Sequence, residues 1–294
     1  MFEWRSKIHN KKMIPVLKKF VYLPIALFIL APEFLVAHGP LDEQIAQVTE
    51  EIARNPHDAN LYLKRGELHR FHEDYPAAQK DYDHALRLDP ALAVVNLCRG
   101  QMMLEAGWYE QALPHLNEFI SQHPRHPEGL VARARVLAKL GKNLAAAADF
   151  TEAILQQAAP APEHYIERAQ ALSAAGSESR DMEIALRGLD EGIQKIGPIV
   201  TLQLCAIELE VALRRYDAAL QRLDQIMATS ARKEKWLMRR GEILQLAGRR
   251  EEARAAYQQA LQEMAALPLH RRQTKAVQDL EIRLLTALDH LKTK

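Results

Sequence analysis

The 294-residue chain is expected to fold as an all-α stack of helical hairpins, on three observations. Only 12 Gly and 14 Pro stand against abundant Ala, Leu, Glu, Arg and Gln, a balance that favours helix on intrinsic propensity. Four classes of position recur at a spacing of 34 residues: Gly66, Gly100 and Ala134; Ala78, Ala112 and Ala146; Tyr82, Leu116 and Phe150; Pro56, Pro90 and Pro124. The stretch "LYLKRGELHRFHEDYPAAQKDYDHALRLDP" between Leu61 and Pro90 reads as two short amphipathic helices, and shifted copies of it follow. A hydrophobic content of 48% and a charged content of 26% are those of a folded protein.

Residues 1–37 are read apart from the fold. They open on a basic run with Arg5, Lys7, Lys11, Lys12, Lys18 and Lys19, pass into the apolar "FVYLPIALFILAP", and end at "EFLVA". That layout is a secretory signal with cleavage after Ala37 and with Met1 or Met13 as the start, which predicts a periplasmic or secreted protein. The alternative is an uncleaved anchor that leaves the protein facing outside. Pro24, Pro32 and Glu33 interrupt the apolar run and count against a spanning helix. Membrane contact is expected only through this segment. Removing six basic and two acidic residues from totals of 39 and 38 leaves 33 and 36, a net charge of −3. A slightly acidic chain lacks the basic footprint of a nucleic-acid binder.

Residues 38–58 follow as a lone second helix, a half-repeat cap with Ile45, Val48 and Ile52 on one face. The array proper runs 59–267 in units 59–92, 93–126, 127–160, 161–197, 198–231 and 232–267. The fourth unit carries the extra "SESRD" between its helices. The fifth has lost its turn glycine and is recognised from "YDAAL". The sixth recovers the pattern at Gly241, Gly248, Ala253, Tyr257 and Ala260. Residues 268–294 close the stack with a capping helix built on Val277, Leu280, Leu284 and Leu288, because a stacked unit buries its face only against neighbours.

In this register Gly66, Gly100 and Ala134 lie where paired helices approach closely, and Ala78, Ala112 and Ala146 where they cross. Gly107, Gly141 and Gly176 fall in the turns, where positive φ is cheap for glycine. Pro90 and Pro124 end second helices. The pattern resembles that of tetratricopeptide repeat proteins over nearly all of the chain after residue 37. The resemblance implies a right-handed α-solenoid of about six helix-turn-helix repeats. It further implies a protein-interaction scaffold that binds a protein or peptide partner in a groove lined by the first helices, with no chemistry of its own.

By register with that family the groove positions include Leu63, Lys64, Glu67, Arg70, Phe71, Leu97, Gln101, Arg135 and Lys139. They mix apolar groups with both charges, and they depart from the Lys/Asn/Arg set with which some relatives clamp a peptide's terminal carboxylate. An arginine recurs before the small residue, at Arg65, Arg99, Arg133, Arg168 and Arg240. Asp81 and Asp149, sixteen residues after Arg65 and Arg133, are placed to pair with them on the facing helix. Arg99 and Arg168 have His115 and Gly188 in that slot, and are therefore expected to be the arginines most free to bind a partner.

Cys98 and Cys205 fall in first helices three units apart, beyond the span of a disulfide, and are expected as free thiols. The histidines offer a second reading, a copper or small-ligand protein. Cleavage after Ala37 would expose the α-amine and ring of His38, and His69 with His72 stand one helical turn apart. No donor set completes either group, so no cofactor is expected from the pattern alone. The motifs G-x-x-x-x-G-K-[ST], H-E-x-x-H and G-x-S-x-G are missing, and the chain is not read as an enzyme.

Overall fold

Fifteen helices and no strand make up the regular structure of the described residues, 40–176 and 179–292 of the computed structural model. The expected signal, 1–37, and His38 lie outside the described residues. Helix α1 (Pro40–Arg54) stands alone, and six hairpins follow. They pair α2 (Ala59–Phe71) with α3 (Tyr75–Leu88), α4 (Val94–Glu105) with α5 (Tyr109–Gln122), and α6 (Pro127–Lys139) with α7 (Asn143–Leu155). The remaining pairs are α8 (Pro162–Ala175) with α9 (Ser179–Ile196), α10 (Val200–Ala212) with α11 (Tyr216–Thr229), and α12 (Glu234–Leu246) with α13 (Arg250–Ala265). A short α14 (Leu269–Arg272), unforeseen from the sequence, leads into the capping helix α15 (Lys275–Lys292).

Local chemistry places the helix ends. Asp58 and Asp74 accept hydrogen bonds from the amides of Asn60 and Ala77 at the starts of α2 and α3. The His126 ring does the same for Gly129 at the start of α6. The "HPRH" histidines thus sit at helix termini, His123 closing α5 and His126 opening α6.

Within the hairpins, the small and large position classes meet. A Cβ added to Gly66 would lie 2.7 Å from Tyr82, one on Gly100 would lie 2.5 Å from Leu116, and one on Gly241 would lie 2.2 Å from Tyr257. The glycine is thus the space that the large side chain fills. Unit 4 reverses the arrangement. Its buried tyrosine, Tyr165, is on the first helix, and the glycine that admits it, Gly192, is on the second, with an added Cβ 2.9 Å from the ring.

The turns divide in the same way. Gly107, Gly141 and Gly248 take positive φ of 78°, 71° and 77°. Gly176 does not: at φ −151° and ψ 148° it is extended, because the insertion gives the fourth unit a different connection. Units 1 and 5 put Glu73 (φ 61°) and Arg214 (φ 57°) at the left-handed position instead. A residue bearing a Cβ is strained there by about 1 kcal/mol.

The buried residues run on from unit to unit. Val48 and Ile52 of α1 pack with Tyr62 and Tyr82, Ile154 of α7 packs with Tyr165 and Leu189, and Val277, Leu284 and Leu291 of α15 cover Tyr257 and Met264. Each such side chain contributes roughly 2 kcal/mol by burial, and the cap keeps the last face out of water. Cys98 is buried and Cys205 half-buried, and both are free thiols; burial, then the Glu67 charge, pushes the Cys98 thiol up to about 12. None of the described helices is long and apolar enough to cross a membrane.

Candidate functional site: the face of the first helices

The first helices carry a run of clefts. One, about 720 Å³, is lined by Arg70, Gln101, Leu104, Glu105, Glu128 and Arg135 together with His126 and His164, from α2, α4, α6, α8 and the turn before α6. Arg135 is shared with a second cleft of about 300 Å³, which adds Lys139, Glu167 and Gln170. Gln170 in turn borders a third, more apolar cleft of about 430 Å³ between α8 and α10, with Ile166, Leu209 and Cys205. Periodicity puts these residues there: all but His126, which caps α6, belong to the first helix of their hairpin.

Ion pairs tie one first helix to the next. The Arg70 guanidinium holds Glu67 at 2.8 Å on its own helix and reaches Glu105 on α4. Arg135 on α6 holds Glu167 on α8 at 3.0 Å, and Arg239 on α12 holds Glu208 on α10 at 2.7 Å. Glu67 also accepts the hydroxyl hydrogen bond of buried Tyr82. Burial would raise the Glu67 carboxyl, but the Arg70 and Tyr82 hydrogen bonds outweigh it and leave its pKa lowered. Glu105 moves the other way, because burial outweighs its attraction to Arg70. His164 is held low by burial and by the nearby Arg135 charge.

The expected site residues separate into three groups. Arg70, Gln101, Arg135 and Lys139 line the clefts. Lys64 is exposed beside Glu51 at 3.2 Å, Leu63 packs against the first core, and Phe71 is exposed at the end of α2 beneath the Arg70 guanidinium. Leu97 is corrected: at 4% exposure it is a core residue packed with Leu116 and Val131, because the inner side of α4 is turned to the α5 helix.

Arg99 and Arg168 also differ from expectation. Both are buried, and neither is free. Arg99 pairs with Asp83, sixteen residues before it on the second helix of the preceding unit. Arg168 donates to the Gly188 carbonyl at 3.0 Å and to Glu191 at 3.1 Å. Pairing in either direction is the rule of the ladder. Arg65 and Arg133 reach forward to Asp81 and Asp149 with two hydrogen bonds each, and backward to Thr49 and Asn117, while Arg240 reaches backward to Asp224. Each arginine lies between its own second helix and the previous one, so a carboxylate on either neutralises it.

The inter-unit glutamates Glu105 and Glu167 carry a signal that the repeat frame could have exposed, an arginine followed about one period later by a glutamate. For the histidines, His69 lies 3.9 Å from Asp81, while His72 turns to Asp42 at 3.6 Å. Among the described residues no three His, Cys, Asp or Glu side chains come together as a metal set.

Comparison with known proteins agrees with this architecture. Residues 164–279 match the family described as a tetratricopeptide repeat-like domain, and residues 99–163 match the tetratricopeptide repeat family. Tetratricopeptide repeat protein 13 of Homo sapiens is 29% identical over 90 residues, which are 31% of this chain and 10% of that protein, so the chain matches about a tenth of the relative's length. Similar solved structures include a tetratricopeptide repeat protein from Parabacteroides merdae, with 17% identity and a TM-score of 0.52 over 85% of this chain and 94% of that one. The MamA protein superposes with 16% identity and a TM-score of 0.53 over 60% and 94% of the two chains. YrrB, described as a TPR protein with an unusual peptide-binding site, superposes with 11% identity and a TM-score of 0.51 over 70% and 97%. At these identities the structural likeness bears on fold alone. The two family matches, which together span residues 99–279, place the chain among the tetratricopeptide repeat proteins.

Proposed function

We propose that the chain is an exported, non-catalytic scaffold that holds an extended segment or helix of a partner protein along the face of its first helices. The single observation behind this reading is the continuity of the three clefts through Arg135 and then Gln170. A run of shallow clefts shared by neighbouring units matches a long partner segment better than a small compact ligand. Both charges are offered at each step, as Arg70 with Glu105 and Arg135 with Glu167, so a partner that pairs with either sign exchanges one ion pair for another. The basic and apolar run of residues 1–37 supports export.

The test is capture of the mature protein with mild cross-linking from its native envelope fraction. The control is a groove variant carrying Arg135→Glu and Lys139→Glu. Leu97 is left intact because it belongs to the core, and Arg70 because it closes the Glu67 network. A partner held by the native protein and lost in the variant supports groove binding, while equal capture by both rejects it. A reporter fused after residue 39 that stays in the cytoplasm would reject export.

A further inference from the structure

The C-terminal cap does only half of what a cap is for. A terminal helix of a stacked array covers the last apolar face and offers water a polar one. The inner side of α15 covers that face, with Val277, Leu284 and Leu291 buried. Its outer side is not polar throughout. Ile282 and Leu285, three residues apart and so on one face, are 62% and 52% exposed. Lys275 and Gln278 continue the same stripe toward α14 and are exposed as well. On α14, Leu269 is 62% exposed, close in the chain to exposed Arg271 and Arg272.

The same end of the chain is basic. Residues 266–294 hold six basic and three acidic residues, a net charge of +3, whereas residues 38–265 hold 27 and 33, a net charge of −6. Arg271, Arg272 and Lys275 make no ion pair among the described residues, in contrast to Arg283, which holds Glu242 at 3.0 Å. Helical spacing sets Asp279 and Glu281 on the flanks of the exposed stripe, and Asp289 stands two turns beyond Ile282. None of these side chains lines the clefts described above. Unpaired cations beside exposed aliphatic groups, with no groove among them, match a broad anionic surface with an apolar interior better than a peptide.

We propose that α14 and the outer face of α15 dock the protein on an anionic lipid bilayer. Leu269, Ile282 and Leu285 enter the headgroup region, and Arg271, Arg272 and Lys275 pair with lipid phosphates. The contact uses none of the residues that line the first-helix clefts, so it goes beyond the scaffold reading and does not depend on it. It is also a membrane contact separate from residues 1–37.

The probe is sedimentation of the mature protein with vesicles of mixed phosphatidylglycerol and phosphatidylcholine, against vesicles of phosphatidylcholine alone. Binding is expected to be at least roughly tenfold tighter to the anionic vesicles, and to weaken as salt is added. Arg271→Glu with Arg272→Glu should lower it by at least roughly tenfold, and so should Ile282→Ser with Leu285→Ser. All four positions are exposed, so thermal melts of both variants should match the native protein. Arg180→Glu with Arg187→Glu makes the same change of net charge at exposed positions of α9, and should leave binding unchanged. Absence of binding, equal binding to neutral vesicles, undiminished binding by either cap variant, or equal weakening in the α9 control would overturn the proposal. So would a native protein that sediments as a dimer without lipid and becomes monomeric with Ile282→Ser and Leu285→Ser, which would assign the face to a second copy.

Discussion

Units 1 to 3 and units 4 and 5 solve the same packing problem in opposite senses. In unit 1 the glycine is on the first helix and the tyrosine on the second, and in unit 4 Tyr165 is on the first helix and Gly192 on the second. In units 1 and 3 an arginine on the first helix meets an aspartate on the second. In unit 5 the order is exchanged. Arg222 stands in the slot of Asp81 and Asp149, and it pairs with buried Glu210 on the first helix and with Asp190 on α9. What stacking requires is one large side chain facing one small residue, and a buried carboxylate beside a half-buried cation. Which helix brings which member is open, since the contact energy depends on the pair and not on its order in the chain.

The largest expected effect that sharpens this comparison is at the tyrosines. Tyr165→Ala should cost about 4 kcal/mol in urea unfolding, as should Tyr82→Ala, because each empties a filled glycine notch. A loss under about 1 kcal/mol at Tyr165 would show that unit 4 packs loosely and that the reversal is only formal.

The charge pairs come next. Glu210→Leu alone should destabilise by about 3 kcal/mol by leaving the half-buried Arg222 with only Gln203 and the more exposed Asp190 as partners, whereas Glu210→Leu with Arg222→Met should recover most of that loss. Equal losses in the single and double variants would break the equivalence with the Arg133–Asp149 pair.

The phenolic hydroxyls separate the two halves more finely. Tyr82 donates to Glu67, so Tyr82→Phe should cost about 1.5 kcal/mol. The buried Tyr165 hydroxyl has no partner among the described residues, so Tyr165→Phe should be neutral or stabilising. Thermal melts of the two variants check the difference.

Histidine protonation tests a smaller effect. Burial, then Arg99, lowers His115, and burial, then Arg135, lowers His164, both from an ordinary value of 6.5. The unfolded chain therefore binds more protons in that range. The stability these groups contribute is complete above about pH 6.5 and falls as pH drops through their lowered folded values. Urea midpoints should decline between about pH 7.5 and about pH 5.5, and less so with His115→Gln and His164→Gln together.

The smallest change is at the turns. Glu73→Gly and Arg214→Gly should each add up to about 1 kcal/mol by relieving positive φ, whereas Gly176→Ala, at an extended position, should be tolerated. Strong destabilisation by the latter would return Gly176 to the class of Gly107 and Gly141.

Much of this was legible in the sequence because repetition multiplies weak signals. A single Gly66 says little, but Gly66, Gly100, Tyr82 and Leu116 in one frame place two helices and the contact between them. The frame also assigned the first-helix face on which Arg70, Gln101, Arg135 and Lys139 line the clefts. It failed at Leu97, where the period locates a residue on a helix but does not say whether a neighbour covers it. Arg99 was misjudged because its partner was sought only on its own hairpin, while Asp83 belongs to the unit before.

By itself, then, the chain determined helical hairpins, their number and their order, since propensity, capping and a 34-residue period act over short stretches. Only the tertiary structure decided which arginines are buried and satisfied, that unit 4 reverses its large and small residues, and that the clefts join through Arg135 and Gln170. Those outcomes depend on distances between residues of different units, which stacking sets and no single repeat encodes.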